Sequence, residues 1–149
     1  PTQAALVARS VGPISLGLFA TRELLQSHGR PPRKLAELAD WPLIGPDQDR
    51  ATWRALAATG FDAPRKQFVV RSDNDLMQLA AVRAGLGIGV FQLPLAAKDP
   101  NLERVLPRFS LSLEMFVVMH EDQRKVPRVR RVFDHLVTEL AAYGASRRS

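Results

Sequence analysis

The sequence of 149 residues contains no cysteine, which excludes a disulfide framework and a thiolate metal site. Its three histidines, His28, His120 and His135, lie far apart, and none has a partner at the spacing of a metal site. No apolar run reaches the roughly 18 residues that span a bilayer, and Pro1-Thr2-Gln3 lacks the features of a secretion signal. We therefore expect a cytoplasmic protein that uses no metal, no other cofactor and no membrane.

Motifs of enzymes are also lacking: there is no Gly-x-Ser-x-Gly, no His-Glu-x-x-His and no phosphate loop. The acid pairs Asp47/Asp49 and Asp73/Asp75 lie among turn and helix-start residues, where capping and solvation are favoured over acid–base catalysis. The glycines of Gly85–Gly89 close a helix and open a strand, the reverse of a dinucleotide fingerprint. Close packing of a helix against a strand explains these glycines. Because the sequence has none of these motifs of enzymes, we expect that the protein is not an enzyme.

The net charge of +6 is not concentrated as a nucleic-acid surface requires. Seven of the 21 Lys and Arg residues lie between Arg124 and Arg148, around the last predicted helix, and the others are scattered among acids. A basic patch attracts phosphate only when it forms a continuous surface. Solvated surface charge is therefore favoured over direct DNA contact.

The pattern of what is present predicts an α/β protein. Apolar runs at 4–9 and 14–20 predict two strands, and 113–119 predicts another. Thr21 is a predicted N-cap of a short helix that ends at Gly29. A long final helix begins at Pro127, with an apolar stripe at helical spacing.

The clearest unit is a strand at 67–71, a helix through Arg83 and a strand at 87–91, a βαβ-type pattern that indicates a parallel sheet. We predict Ser72 as the N-cap of this helix. The cluster Ser72-Asp73-Asn74 lies where an open α/β sheet binds ligands, at the end of a strand and the start of a helix. Two roles remain open for this cluster: capping of the helix alone, or capping together with ligand contact. The charge of Asp73 would repel an anionic ligand unless the side chain points away from it.

Several segments occur in a characteristic order: Leu16–Leu25 with His28-Gly29, Leu35–Ile44, Ser72-x-Asn74 with Ala84–Gly89 and Leu93-Pro94, Val117–His120, and Val126–Val129 with Phe133–Leu136. Over about residues 5–143 this order resembles the effector-binding domain of LysR-type transcriptional regulators. The resemblance implies a type II periplasmic-binding-protein-like fold, in which two α/β subdomains are joined by crossover strands. It also implies a chain that is truncated at its N-terminus, so that the first subdomain is incomplete.

The resemblance divides the chain into four parts. Residues 1–19 would end the first subdomain and form the outward crossover, and residues 20–90 would form the second subdomain. Residues 91–145 would be the return crossover and the rest of the first subdomain, followed by a disordered tail at 146–149. Self-association through the incomplete first subdomain, and hence a homo-oligomer, is expected.

The function that the resemblance implies is the sensing of a small-molecule effector, a small organic acid or metabolite, in the cleft between subdomains. DNA would be contacted only through a winged helix-turn-helix that this chain lacks. The alternative with the same fold is a solute-binding protein of a transporter. The implied ligand-binding residues are Gly45, Pro46, Ser72, Asn74, Phe91 and Gln92.

Overall fold

The computed structural model describes residues 5–145, so the predicted tail at 146–149 lies outside the described residues. Two compact units are present: residues 5–15 with 112–145 form the first unit, and Leu16–Leu111 form the second unit. The architecture is mixed α/β, as predicted. The strands are β1 Leu6–Thr21, β2 Leu43–Gly45, β3 Phe68–Arg71, β4 Gly89–Gln92, β5 Leu102–Val105 and β6 Leu111–His120. The α-helices are α1 Arg22–Ser27, α2 Arg50–Ala58, α3 Asp75–Arg83, α4 Leu93–Ala96 and α5 Pro127–Ala145.

Strand β1 corrects the sequence prediction of two separate strands at 4–9 and 14–20. The chain stays extended through Gly12 and Pro13, so Leu6–Thr21 is one strand of 16 residues. Gly12 makes this possible with a φ of +89°, a conformation that costs glycine little because it has no Cβ.

The second unit contains two sheets. The end of β1 pairs antiparallel with β4, from Leu16 opposite Gln92 to Phe19 opposite Gly89, and it also pairs antiparallel with β5. The second unit therefore extends to Leu111. This end lies about twenty residues beyond residue 90, where the sequence analysis placed the end of the second subdomain. The other sheet is the parallel pair β2–β3, which is joined to Ile88 by a bridge at Leu43.

Two apolar clusters hold the second unit together. The larger one surrounds Leu18, Leu38, Leu43 and Ile88, all nearly inaccessible to solvent. The other packs α3 against β4 and against Phe19 near the end of β1. Gly89 permits this packing, because a Cβ there would lie 2.8 Å from a Val82 methyl group of α3. The prediction of close packing of helix on strand is therefore confirmed for Gly89. Gly87 instead allows a close approach of backbone, since its Cβ would lie 2.7 Å from the Pro42 carbonyl oxygen, and Gly85 ends α3 with a φ of +72°.

The first unit consists of the start of β1, β6 and α5, and β6 pairs with β1. Helix α5 begins at Pro127 as predicted, and Phe133 on its inner face packs with Val11, Val117 and Met119. Among residues 5–145, no helix is both long enough and apolar enough to cross a membrane.

Candidate functional site

Strands β2 and β3 end side by side in the second unit, and the segments that follow them form the candidate site. We call residues 45–49 and 71–75 the strand-end site. Gly45 lies opposite Arg71, and the Ser72 backbone N–H donates to the Gly45 carbonyl at 3.0 Å, which extends the pairing by one residue. Glycine is needed at position 45, since a Cβ there would lie 2.6 Å from the Phe68 ring.

Asn74, rather than Ser72, is the N-cap of α3, so the sequence prediction for this helix was wrong by two residues. The Asn74 Oδ1 accepts from the backbone N–H groups of Leu76 at 2.9 Å and Met77 at 3.1 Å. Both residue types are good caps, and the choice between them depends on where the backbone first becomes helical. Asn74 is still extended, with φ −99° and ψ 111°.

Ser72 stabilises the turn that precedes the helix. Its Oγ accepts from the Asn74 backbone N–H at 3.1 Å, and its carbonyl accepts from the buried Gln78 side chain at 2.7 Å. A serine hydroxyl that accepts can still donate its own proton. Likewise, the Asn74 amide group can donate from Nδ2 while its Oδ1 caps the helix.

Asp73 points away from α3 and binds the loop that follows β2. Its carboxylate accepts from the backbone N–H groups of Asp47 at 2.8 Å, Gln48 at 3.0 Å and Asp49 at 3.1 Å. Desolvation raises the pKa of Asp73, but the N–H donors of Asp49, Asp47 and Gln48 outweigh it and hold the pKa below its ordinary value. The carboxylate therefore binds three loop amides that would otherwise be free to donate to another acceptor.

Two further aspartates organise the same loop. Asp49 caps α2 by accepting from the N–H groups of Ala51 and Thr52, which confirms capping as its role. The hydrogen bond from the Thr52 hydroxyl, followed by these backbone bonds, lowers the pKa of Asp49. Asp47 forms an ion pair with Arg65 at 2.8 Å and a longer one with Arg71 at 3.8 Å.

The structure brings four of the six predicted ligand-binding residues together. Gly45 ends β2 and the buried Pro46 follows it, and Ser72 and Asn74 follow β3. Phe91 and Gln92 lie on β4, in the other sheet. The Phe91 side chain is 6% exposed and packs in the core with Phe19 and Val82, whereas Gln92 is half-buried opposite Leu16.

Sequence reasoning did not find the partners of Asp73 or the contribution of Arg71. The bond from Asp73 to the amide of Asp47 joins residues 26 positions apart, and no local motif predicts such a pairing. The only signal was the placement of both acid pairs next to predicted strand ends. Arg71 follows from the register of β3, because it stands opposite Gly45.

The chemistry of the strand-end site suits the binding of a small polar molecule. Ser72 offers a hydroxyl, Asn74 an amide and Arg71 a guanidinium, and each can donate a hydrogen bond. Of the residues that the structure describes, no group of three His, Asp or Glu side chains is arranged to hold a metal ion.

The family model described as LysR substrate binding domain matches residues 1–141. Among solved structures, the chain is similar to the regulatory domain of CrgA, a LysR-type transcriptional regulator from Neisseria meningitidis, with 24% identity and a TM-score of 0.70. That match covers 94% of this chain and 71% of the CrgA domain. The effector domain of the transcriptional regulator AmpR of Pseudomonas aeruginosa matches at 18% identity and a TM-score of 0.67, over 97% of this chain and 70% of that one.

Full-length AphB, a virulence activator of Vibrio cholerae, matches at 20% identity and a TM-score of 0.62. This match covers 93% of the present chain but 49% of AphB, so the chain spans about half the length of such a full-length regulator. No protein among those with curated descriptions matches the chain in sequence. These likenesses establish the type II periplasmic-binding-protein-like fold.

Proposed function

Because the chain belongs to the LysR substrate-binding domain family, we propose that it senses a small-molecule effector for a bacterial LysR-type transcription factor. In this proposal the effector contacts the strand-end site of the second unit and changes the activity of a winged helix-turn-helix domain elsewhere in the full-length regulator. An effector shifts a conformational equilibrium only as far as its affinities for the two states differ.

The proposal rests on one observation: some hydrogen-bonding groups of the strand-end site are already bound within the protein, and others can bind a ligand. The loop amides of residues 47–49 are already bound by Asp73, and the first amides of α3 are bound by Asn74. The groups that can still donate to a ligand are the Ser72 hydroxyl, the Asn74 amide and the Arg71 guanidinium, whose ion pair with Asp47 is long at 3.8 Å. This set fits a small organic acid or another polar metabolite, with the acid group near Arg71.

The family also favours a sensor over the other classes of function. A transporter's solute-binding protein would share the fold, but the matching family model is that of a LysR regulator. The same membership supports a cytoplasmic, non-enzymatic homo-oligomer that reaches DNA through its separate N-terminal domain.

A thermal-shift screen of small organic acids and polar metabolites tests effector binding. A ligand present at about 100 times its Kd stabilises the folded state by about 2.7 kcal/mol. Both tryptophans, Trp41 and Trp53, lie within Leu16–Leu111, so their fluorescence reports on the unit that holds the site.

The matched variants are Asn74→Ser, which keeps a capping side chain but removes the amide, and Asn101→Ser, which makes the same change on an exposed residue outside the site. We expect a ligand found in the screen to bind Asn74→Ser roughly two- to tenfold more weakly, as for one lost hydrogen bond, and to bind Asn101→Ser with unchanged affinity. Unchanged affinity for both Asn74→Ser and Ser72→Ala would show that the effector binds elsewhere.

A further inference from the structure

Gln78 is a polar side chain that the second unit encloses almost completely. It is the fourth residue of α3 and is 8% exposed, and α3 packs against β2, β3 and β4 of the same unit. Among residues 5–145, the buried polar side chains are Thr21 and Gln78. Capping of α1 accounts for Thr21. Since polar side chains are rarely buried without hydrogen bonds, the bonds of the Gln78 amide show what this residue does.

The nitrogen of the Gln78 amide is bound within the protein. Nε2 donates to the Ser72 carbonyl at 2.7 Å. Because a carbonyl oxygen can only accept, this bond fixes which end of the amide is nitrogen and which is oxygen. With ordinary amide bond lengths, Oε1 lies about 2.3 Å from Nε2 and hence within about 5 Å of the Ser72 carbonyl oxygen. The Gln78 oxygen therefore lies beside the strand-end site.

This oxygen accepts no hydrogen bond from the described part of the chain, in which the amide's bond to Ser72 is its only one. Every fully buried side-chain N or O atom of the same residues has a hydrogen-bond partner. An oxygen without a partner must therefore still be open to water. Gln78 thus combines a buried, fixed amide with an oxygen that can accept a hydrogen bond from a ligand.

The other side-chain acceptors at this sheet edge are already in use. The Asn74 Oδ1 accepts from two backbone N–H groups, and the Asp73 carboxylate accepts from three. The Ser72 Oγ accepts from one. The strand-end site therefore offers a ligand several donors, whereas Gln78 adds an acceptor that has no bond within the described residues.

We propose that Gln78 contacts the effector and that its Oε1 selects a hydroxy acid, whose acid group lies near Arg71 and whose hydroxyl donates to Gln78. This inference rests on the proposed function, to which it adds a residue and a class of ligand. An acid without the hydroxyl would displace water from the oxygen and give no bond in return, which costs affinity. A hydroxyl also suits the position better than an ammonium group, since burying a charge beside a neutral amide is costly.

Pairs of acids that differ by one hydroxyl test this selectivity. The probes are propionate and lactate, succinate and malate, and phenylacetate and mandelate. Each is titrated to about 20 mM, which covers millimolar dissociation constants, against the whole chain with tryptophan fluorescence as the signal. Trp53 reports on the site, because its indole N–H donates to the Asp47 carbonyl at 3.4 Å. In at least one pair, we expect the hydroxy acid to bind roughly two- to tenfold more tightly, as for one hydrogen bond gained.

Gln78→Met separates ligand contact from a structural role, because methionine has a similar length but no amide. A distorted site would weaken the binding of both acids of a pair, whereas loss of the acceptor removes only the preference for the hydroxy acid. The ratio of the two affinities should therefore fall to about one in Gln78→Met. The ratio should remain at the wild-type value in Gln26→Met, the same change at an exposed glutamine of α1, and in Ser72→Ala.

The outcomes distinguish this inference from the proposed function. Equal binding of both acids of every pair by wild type, or a preference that survives Gln78→Met, would overturn the inference and leave effector sensing intact. Binding of none of the acids would overturn the inference together with the acid class of the proposed effector. The comparison of acids in wild type needs no variant, so it can refute the inference even if circular dichroism shows that Gln78→Met does not fold.

Discussion

Replacing Asn74 with alanine tests the structural assignment of the α3 N-cap. The Asn74 Oδ1 accepts from two backbone N–H groups, at 2.9 and 3.1 Å, that have no acceptor within the helix. Loss of such a cap costs about 1 kcal/mol, within a range of roughly 0.5–2 kcal/mol. Leu79 and Val82 of α3 are buried in the core, so the helix must stay formed and the full cost should appear in the free energy of unfolding.

Urea unfolding followed by tryptophan fluorescence measures this cost in the relevant unit, because Trp41 and Trp53 both lie in Leu16–Leu111. With a urea dependence of about 1–2 kcal/mol per molar, a loss of 1 kcal/mol lowers the midpoint by roughly 0.5–1 M. Asn74→Asp keeps the acceptor and should remain near wild type. Asn101→Ala is the matched control at an exposed asparagine, and we expect it to change stability by less than about 0.5 kcal/mol.

Ser72→Ala distinguishes the two possible caps. The Ser72 Oγ accepts one hydrogen bond, from the Asn74 backbone N–H at 3.1 Å, and the residue is outside the helix. Its loss should therefore cost less than the loss of Asn74. If Ser72→Ala proves as destabilising as Asn74→Ala, or if Asn74→Ala costs nothing, the reasoning from the two N–H groups is refuted.

Two other changes test the core and the loop. Gly87→Ala should destabilise the second unit by about 1–3 kcal/mol in the same urea assay, because its Cβ would lie 2.7 Å from the Pro42 carbonyl oxygen, which is held by the Ile88 N–H. Gly17→Ala, whose Cβ would meet a movable Leu93 methyl at 3.0 Å, should cost less, and equal costs would contradict this account. The pKa of Asp73 is lowered from its ordinary 3.8 by loop amides, so its contribution is present above that pH and is lost as the pH falls through the folded-state value. The Asp73→Asn variant should therefore lose less stability than wild type when the pH falls below about 4. Urea unfolding at several pH values measures this difference. Identical dependence of stability on pH in both proteins would show that the amides do not hold the carboxylate.

Much of the fold could be predicted because its signals are local. The apolar spacing and Pro127 define α5, and Thr21 and Gly85 mark the start of α1 and the end of α3. Strand β1 shows the limit of such signals. Gly12-Pro13 is typical of a turn, yet β1 continues through it as one strand that pairs with β4, β5 and β6. Local turn preference therefore does not decide whether a strand ends, because strand formation depends on its tertiary partners.

The candidate site was predictable in position but not in detail. The order of strand and helix placed Ser72 and Asn74 at a sheet edge, and both residues are there. The sequence could not distinguish Ser72 from Asn74 as the cap, since both are favourable and the outcome depends on two backbone dihedral angles. It also could not reveal that Phe91 packs into the core, because the face of a short strand is set by its register with β1.

The hydrogen bonds of Asp73 limit which groups at this sheet edge are free to bind a ligand. A parallel sheet usually offers a ligand the free amides of its strand-end loops and helix starts. In this chain three aspartate and asparagine side chains already bind those amides: Asp49 at α2, Asn74 at α3 and Asp73 at the loop between β2 and α2. The groups at this edge that can still donate a hydrogen bond to a ligand are therefore the side chains of Arg71, Ser72 and Asn74. A change at Asp73 would instead release the loop whose amides, of residues 47–49, its carboxylate binds.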